Sequence, residues 1–259
     1  MSLSVHLWEA RIVYNLTMAA RMELLAVGAT RLGIVLSDAQ LDQFETYYHQ
    51  LVQWNQRANL TNITEYAEVQ TKHFLDSLTA HAAVGGIEPT WRVLDVGAGA
   101  GLPGLPLKIA FPDLELVLVE SVRKKTGFLE QLQLELKIDG VEVLTERAES
   151  LAHHGDLRET QDIVLARGLA RMPVLLEYTL PFCRMGGKVV AMKHSGPALD
   201  REVAGSAKAL EVLGGKVSEI YRVDLPALTD NRVVVVVEKV GPTSQGYPRR
   251  TGIPAKRPL

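Results

Sequence analysis

A single cysteine, Cys183, occurs in the 259 residues, so neither an intrachain disulfide nor a cysteine-based zinc site can form. Long apolar runs are absent too. The longest, Val233 to Val237, is strand-sized and far short of the roughly 18 residues that cross a bilayer. The N-terminus is interrupted by Glu9, Arg11, Arg21 and Glu23 and lacks the apolar core of a secretory leader. The N-x-T triplets at Asn15, Asn59 and Asn62 therefore read as structural or fortuitous, and the expectation is a soluble, cytoplasmic, monomeric protein. Aromatic residues make up only 6% of the chain, too few for an interleaved base-stacking platform. His153-His154 has no ligand partner at metal spacing, so no metal is expected.

What remains is a globular composition, 47% hydrophobic and 22% charged, with a net charge of −2. The charge is uneven. Residues 242–259 carry Arg249, Arg250, Lys256 and Arg257 and no acid, which reads as an anion-binding arm or as a solvated end.

Three zones follow one another along the chain. Residues 1–88 read as a small helical unit in which Met18 or Met22 is a candidate start. A capping box at Ser37 opens a helix with Leu41, Phe44, Tyr48, Leu51 and Val52 at helical spacing, and a second helix carries KHFLDSL. Residues 89–241 alternate short β-rich runs with amphipathic ones. The expected strands are Arg92–Val96, Leu114–Glu120, Val141–Leu144, Asp162–Ala166, Lys188–Lys193, Val217–Tyr221 and Arg232–Glu238, the last two as a hairpin. Helices are expected over Lys124–Leu136, Val174–Phe182 and Asp200–Leu213. Such alternation implies a doubly wound, seven-stranded α/β domain with helices on both faces. Residues 242–259 form the basic, proline-studded tail.

The densest local signal is VLDVGAGAGLPG, Val93 to Gly104, directly after the first strand. Gly97, Gly99 and Gly101 let backbone turn sharply and approach a ligand at the carboxyl end of the sheet. The spacing fits two adenosine cofactors. Gly99-x-Gly101-x-x-Gly104 matches the dinucleotide fingerprint, whereas Asp95-x-Gly97-x-Gly99-x-Gly101 matches the loop of S-adenosylmethionine-dependent methyltransferases. Glu120, ending the second strand, suits the ribose hydroxyls of either. Asp95 suits a cofactor with a cationic end and would repel a pyrophosphate, which leans toward the methyltransferase. An oxidoreductase using NAD and an RNA-binding protein on an inactive methyltransferase fold are the competing readings.

The chain resembles one family closely, the small-subunit ribosomal RNA guanine-N7 methyltransferases (methyltransferase G, formerly glucose-inhibited division protein B). The segments that carry the likeness are NLT at Asn59, KHFLDSL at Lys72, VLDVGAGAGLPGLPLKI at Val93, ESVRKKTGFL at Glu120, ERAE at Glu146, LARGLA at Leu165, GGKVVAMK at Gly186 and YPRRTGIPAKRPL at Tyr247. The resemblance implies a Rossmann-like fold, S-adenosylmethionine as cofactor and 16S ribosomal RNA or the small ribosomal subunit as partner. It also implies cofactor contacts at Gly97 and Leu102, at Glu120, Ser121 and Val122, at Ala148 and Glu149 beside the adenine, and at Arg167 on the methionine side. Glu120 stands where relatives often have aspartate, and Gly168-Leu169 where they often have Ala-Phe or Ala-Val.

Guanine N7 attacks through a lone pair and gives up no proton, so this chemistry needs positioning and desolvation rather than a general base. The chain fits in what it lacks: the amine-methylating N/D-P-P-Y/F position reads Ala166-Arg167-Gly168-Leu169, and Cys183 in PFCRMGG reads as core packing. Lys72, His73 and Asp76 can share a helix face, as a wall of the acceptor site or as a surface ion-pair cluster. Arg167 and Lys193 end strands, where site residues gather. Lys124 and Lys125 begin a helix, an unfavourable place for cations unless RNA phosphate neutralises them.

Overall fold

The computed structural model describes residues 21–259; the Asn15 triplet, the start at Met18 and the first part of the N-terminal unit lie outside the described residues. The N-terminal helices are α1 (Glu23–Arg31), α2 (Asp38–Ala58) and the single turn α3 (Tyr66–Glu68), followed by a π-helical segment (Val69–Leu75) that runs into α4 (Asp76–Ala83). The capping box forms at Ser37 and Gln40 as expected. Gln40 also reaches the Ile109 carbonyl at 2.7 Å, and Gln43 reaches the Leu136 carbonyl at 2.9 Å, so α2 caps the ends of two helices of the sheet layer.

Then come β1 (Arg92–Val96), α5 (Gly104–Ala110), β2 (Glu115–Val119), α6 (Arg123–Leu136), β3 (Val141–Leu144), α7 (Ala148–Leu151) and β4 (Gln161–Arg167). The chain continues through α8 (Met172–Thr179), β5 (Cys183–His194), α9 (Pro197–Ala204), α10 (Ala207–Leu213), β6 (Gly215–Arg222), β7 (Arg232–Lys239) and α11 (Ile253–Lys256). One sheet has the order β3-β2-β1-β4-β5-β7-β6, with β7 antiparallel to both neighbours. This is the expected doubly wound α/β fold with its terminal hairpin.

Strand alternation divides the core between the two faces of the sheet. Val93, Leu165, Val190 and Val234 pack with α1, α2, α4, α5 and α6, whereas Leu94, Ala166, Ala191 and Val235 pack with α7, α8, α9 and α10. The β-branched Val233–Val237 is buried on both sides, as a central strand requires. Because the N-terminal helices share a core with one sheet face, the boundary expected at residue 88 divides no core.

Local departures have local causes. The helix expected over Asp200–Leu213 is two helices, broken at Gly205 and Ser206. β5 begins five residues earlier than expected, because Cys183 pairs with Gln161 ahead of an irregularity, where Gly186 adopts a positive φ of 74°, before the regular pairing resumes at Lys188 and Ile163. The buried stripe of α2 is Phe44, Tyr47 and Leu51, with Tyr48 only half-buried; spacings of three and four do not separate neighbouring tyrosines.

Candidate active site

The glycine loop rests on the end of β2. The Gly97 and Ala98 amides both donate to the Val119 carbonyl, at 2.8 and 3.0 Å. Glu120 completes the grip: one carboxylate oxygen accepts the Gly99 amide at 3.1 Å and the other the Val122 amide at 2.8 Å. Gly99 has a φ of 58°, and a Cβ there would have only the Gly97 carbonyl within 4 Å, so the loop leaves open space at this point. Gly101, with a φ of 86°, is crowded instead; a Cβ would lie 2.9 Å from the hydroxyl of Tyr47, which itself donates to the Ala100 carbonyl at 2.5 Å.

Beside the loop opens a cleft of about 230 Å³ at the carboxyl ends of β1, β2 and β4, where an open α/β sheet takes its ligand. Gly97, Glu120, Ser121, Ala148 and Glu149 line it, as do Lys125, Leu169 and Tyr178. Leu169 lies over the loop, its side chain 2.7 Å from where a Cβ on Gly97 would stand.

Other expected cofactor residues take supporting places. Asp95 does not line the cleft: strand parity turns its side chain to the opposite face, where it is fully buried and accepts the Gly104 amide at 2.9 Å. Burial pushes its carboxyl up to about 7, and its second oxygen has no partner. Leu102 is likewise packed in the core on that face. Val122 contributes its amide to Glu120 while its side chain is exposed.

Beneath the N-terminal helices lies a second constellation, on the same face of the sheet as Asp95. Arg167, which ends β4, donates from Nη2 to the Lys72 carbonyl and to His73 Nδ1, both at 2.9 Å, and its Nε lies 3.3 Å from Asp76. Arg232, which begins β7, stands 2.6 Å from the same Asp76 oxygen and is held by Asp230 at 2.8 Å. Because a guanidinium only donates, His73 Nδ1 is an acceptor, and Nε2 therefore donates to Thr61 Oγ1 at 2.7 Å. Burial, reinforced by the Arg167 charge, pushes His73 down to about 4, so it is neutral. Nη1 of Arg167 is buried and unpartnered.

Three expectations are corrected here. KHFLDSL spans a π-helical turn, and the Lys72 side chain leaves the cluster to pair with Glu68 at 2.5 Å while its carbonyl stays; His73 and Asp76 form a buried network, not a surface one. Lys193 faces the other side of the sheet, where it binds Glu202 at 2.9 Å, and Glu202 in turn accepts the first amide of α8. The tail is not a free arm: Arg249 pairs with the buried Glu177 at 2.6 Å. Arg250, Lys256 and Arg257 are exposed, as is Lys124, whose Nζ reaches the Arg57 carbonyl at 3.1 Å. Lys125 lies 3.9 Å from Glu120.

The sequence reading missed Tyr47, Tyr178 and Arg232. Tyr47 sits next to the tyrosine that periodicity favoured, and Arg232 reads locally as a strand residue. Burial pushes the Cys183 thiol up to about 12, in keeping with its expected packing role. Among the described residues no cluster of three or more histidine, cysteine or acidic side chains could hold a metal ion, and no helix is long and apolar enough to cross a membrane.

Strand order, glycine loop and cleft together define a Rossmann-like α/β fold of the methyltransferase kind. A solved structure agrees in fold: a point mutant of MtNAS in complex with S-adenosylmethionine aligns with a TM-score of 0.51 at 16% identity, covering 85% of this chain and 78% of that one. The family described as rRNA small subunit methyltransferase G matches residues 40–229, and the chain belongs to it. Its relatives include a protein named Ribosomal RNA small subunit methyltransferase G from Dehalococcoides mccartyi, 47% identical over 92% of this chain and 100% of that protein. A namesake from Roseiflexus castenholzii is 46% identical over 92% of this chain and 99% of its own length.

Proposed function

We propose that the cleft holds S-adenosylmethionine and that the protein methylates N7 of a guanine in 16S ribosomal RNA. The observation that carries this reading is the glycine loop clasped by Glu120 beside a cleft whose other wall is Ala148 and Glu149. The residues present fit such a cofactor. Open space at Gly99 leaves room for backbone approach, and Glu120 retains lone pairs for ribose hydroxyls beyond its two amide bonds.

When bound, the cofactor supplies a methyl group on a sulfonium, an electrophile that N7 can attack in line with its lone pair. The chain then has no proton to move. His73 cannot serve as a base, because its Nδ1 is occupied by Arg167 and its Nε2 carries the proton bonded to Thr61. Its work is to hold Arg167, together with Asp76, in one orientation. Leu169, over the loop, gives the cleft an apolar wall that would shield a bound cofactor from water. The exposed cations Lys124, Arg250, Lys256 and Arg257 are assigned in this reading to RNA phosphates, contacts that position a substrate without reading its sequence.

The test is transfer of labelled methyl from S-adenosylmethionine to 16S RNA, free and in the small subunit. Borohydride and aniline then cleave the strand at 7-methylguanine. A single cleavage site carrying the label supports the reading. Label without cleavage places the methyl elsewhere, and no label with either substrate refutes the activity.

A further inference from the structure

The C-terminal segment is clamped to the body along its length. At its root, Lys239 is buried and binds Glu159 at 2.9 Å and the Thr243 hydroxyl, while Arg158 donates to the Tyr247 carbonyl at 2.9 Å. The distal bonds go to a different kind of place. Arg249 gives Glu177 its Nε, its Nη2 and its backbone amide, and Glu177 directly precedes Tyr178 of the cleft. Gly252, held at a φ of 80° that a side chain would resist, donates its amide at 2.9 Å to Glu149, which itself lines the cleft.

Two physical arguments give these bonds a purpose. Helix α7 is four residues long, and one turn has no stability of its own. Its position comes from outside, from the burial of Ala148 and Leu151 in the core and from the Gly252 amide on Glu149, which ties it to the strap. Glu177 is fully buried, and a carboxylate in that position is strongly unfavourable without a partner. Arg249 is that partner, and it ties the strap to the α8 turn that carries Tyr178.

We propose that Arg249 and Gly252 are positioning residues for the cofactor cleft: through Glu177 and Glu149, the strap fixes the wall formed by α7 and Tyr178. The inference rests on the assignment of that cleft to S-adenosylmethionine. It assigns part of the basic tail to cofactor affinity, and removes Arg249 from the RNA contacts.

The test compares wild type, Arg249→Ala and Arg249→Lys by calorimetric titration with S-adenosylhomocysteine, with RNA affinity measured against salt in parallel. Because Arg249→Ala strands a buried carboxylate, the pair Glu177→Gln with Arg249→Gln, which removes both charges together, is measured beside it. Only variants with a cooperative melting transition are scored. Arg249→Ala and the neutral pair should each weaken binding about tenfold and raise KM for S-adenosylmethionine with kcat little changed. Arg249→Lys should recover most of the loss, and the salt slope of RNA binding should stay that of wild type.

Wild-type affinity in both the folded neutral pair and Arg249→Ala overturns the proposal, since the strap would then only stabilise the fold. A flattened RNA salt slope with intact cofactor affinity overturns it in favour of an RNA arm. Failure of wild type itself to bind S-adenosylhomocysteine is a different result: it refutes the cleft assignment, and the inference falls with it.

Discussion

Arg167 donates to Nδ1 of His73 at 2.9 Å, a contact that requires that nitrogen to be unprotonated and that fixes the orientation of the arginine. A protonated imidazole would put two donors face to face. The Arg167–His73 bond therefore forms only with His73 neutral.

A pH dependence follows. His73 titrates near 6.5 unfolded and at about 4 folded, so between these values the unfolded chain binds more protons, and stability falls as pH drops. The loss should be on the order of 3 kcal/mol once pH is below 4. Asp95 acts in the opposite sense. Its folded value of about 7 lies above the unfolded 3.8, so its unfavourable ionisation is relieved over much of the same range as pH falls. The slopes offset each other in the wild type. Urea unfolding between pH 4 and 7 should show Asp95→Asn losing stability steeply in acid and His73→Gln gaining it. Parallel curves for both variants would contradict the assignment.

Asp76 neutralises two guanidinium groups, and its removal leaves both without their shared carboxylate. Asp76→Ala should destabilise by about 3 kcal/mol in urea unfolding at pH 7, a figure typical of an uncompensated buried charge. A loss below about 1 kcal/mol, the scale of a surface pair, would show that Arg167 and Arg232 are solvated.

Much of this fold can be read from the sequence because its signals are local. Glycine loop, capping box, Val233–Val237 and the terminal hairpin each rest on short-range patterning. What could not be read depends on facing. The side to which Asp95, Arg167 and Lys193 point follows from strand parity, but which side the N-terminal helices cover does not. The π turn in KHFLDSL preserves the spacing of His73 and Asp76 while sending the Lys72 side chain elsewhere. Arg249 and Glu177 are 72 residues apart, and nothing near either announces the other.

Tyr47 ties the N-terminal layer to the glycine loop through the Ala100 carbonyl. Tyr47→Phe keeps the ring packing on Phe74 but leaves a buried carbonyl unpartnered, so it should cost roughly 1–2 kcal/mol in stability and weaken cofactor binding. Paired urea titration and calorimetry check both effects. Unchanged cofactor affinity would mean that the loop keeps its shape without this bond.

Cys183 is fully buried with a strongly raised thiol, so it should resist N-ethylmaleimide at pH 8 in the folded protein and react fully in denaturant. Rapid labelling of the native protein would contradict its place in the core.

The cleft assignment is tested most directly by calorimetric titration with S-adenosylhomocysteine, with NAD titrated in parallel, on wild type and Gly99→Arg. Saturable binding of S-adenosylhomocysteine to wild type, its loss in a cooperatively folded Gly99→Arg, and no heat from NAD are the predicted results. Binding of NAD alone, or undiminished affinity in Gly99→Arg, would contradict the account of the glycine loop.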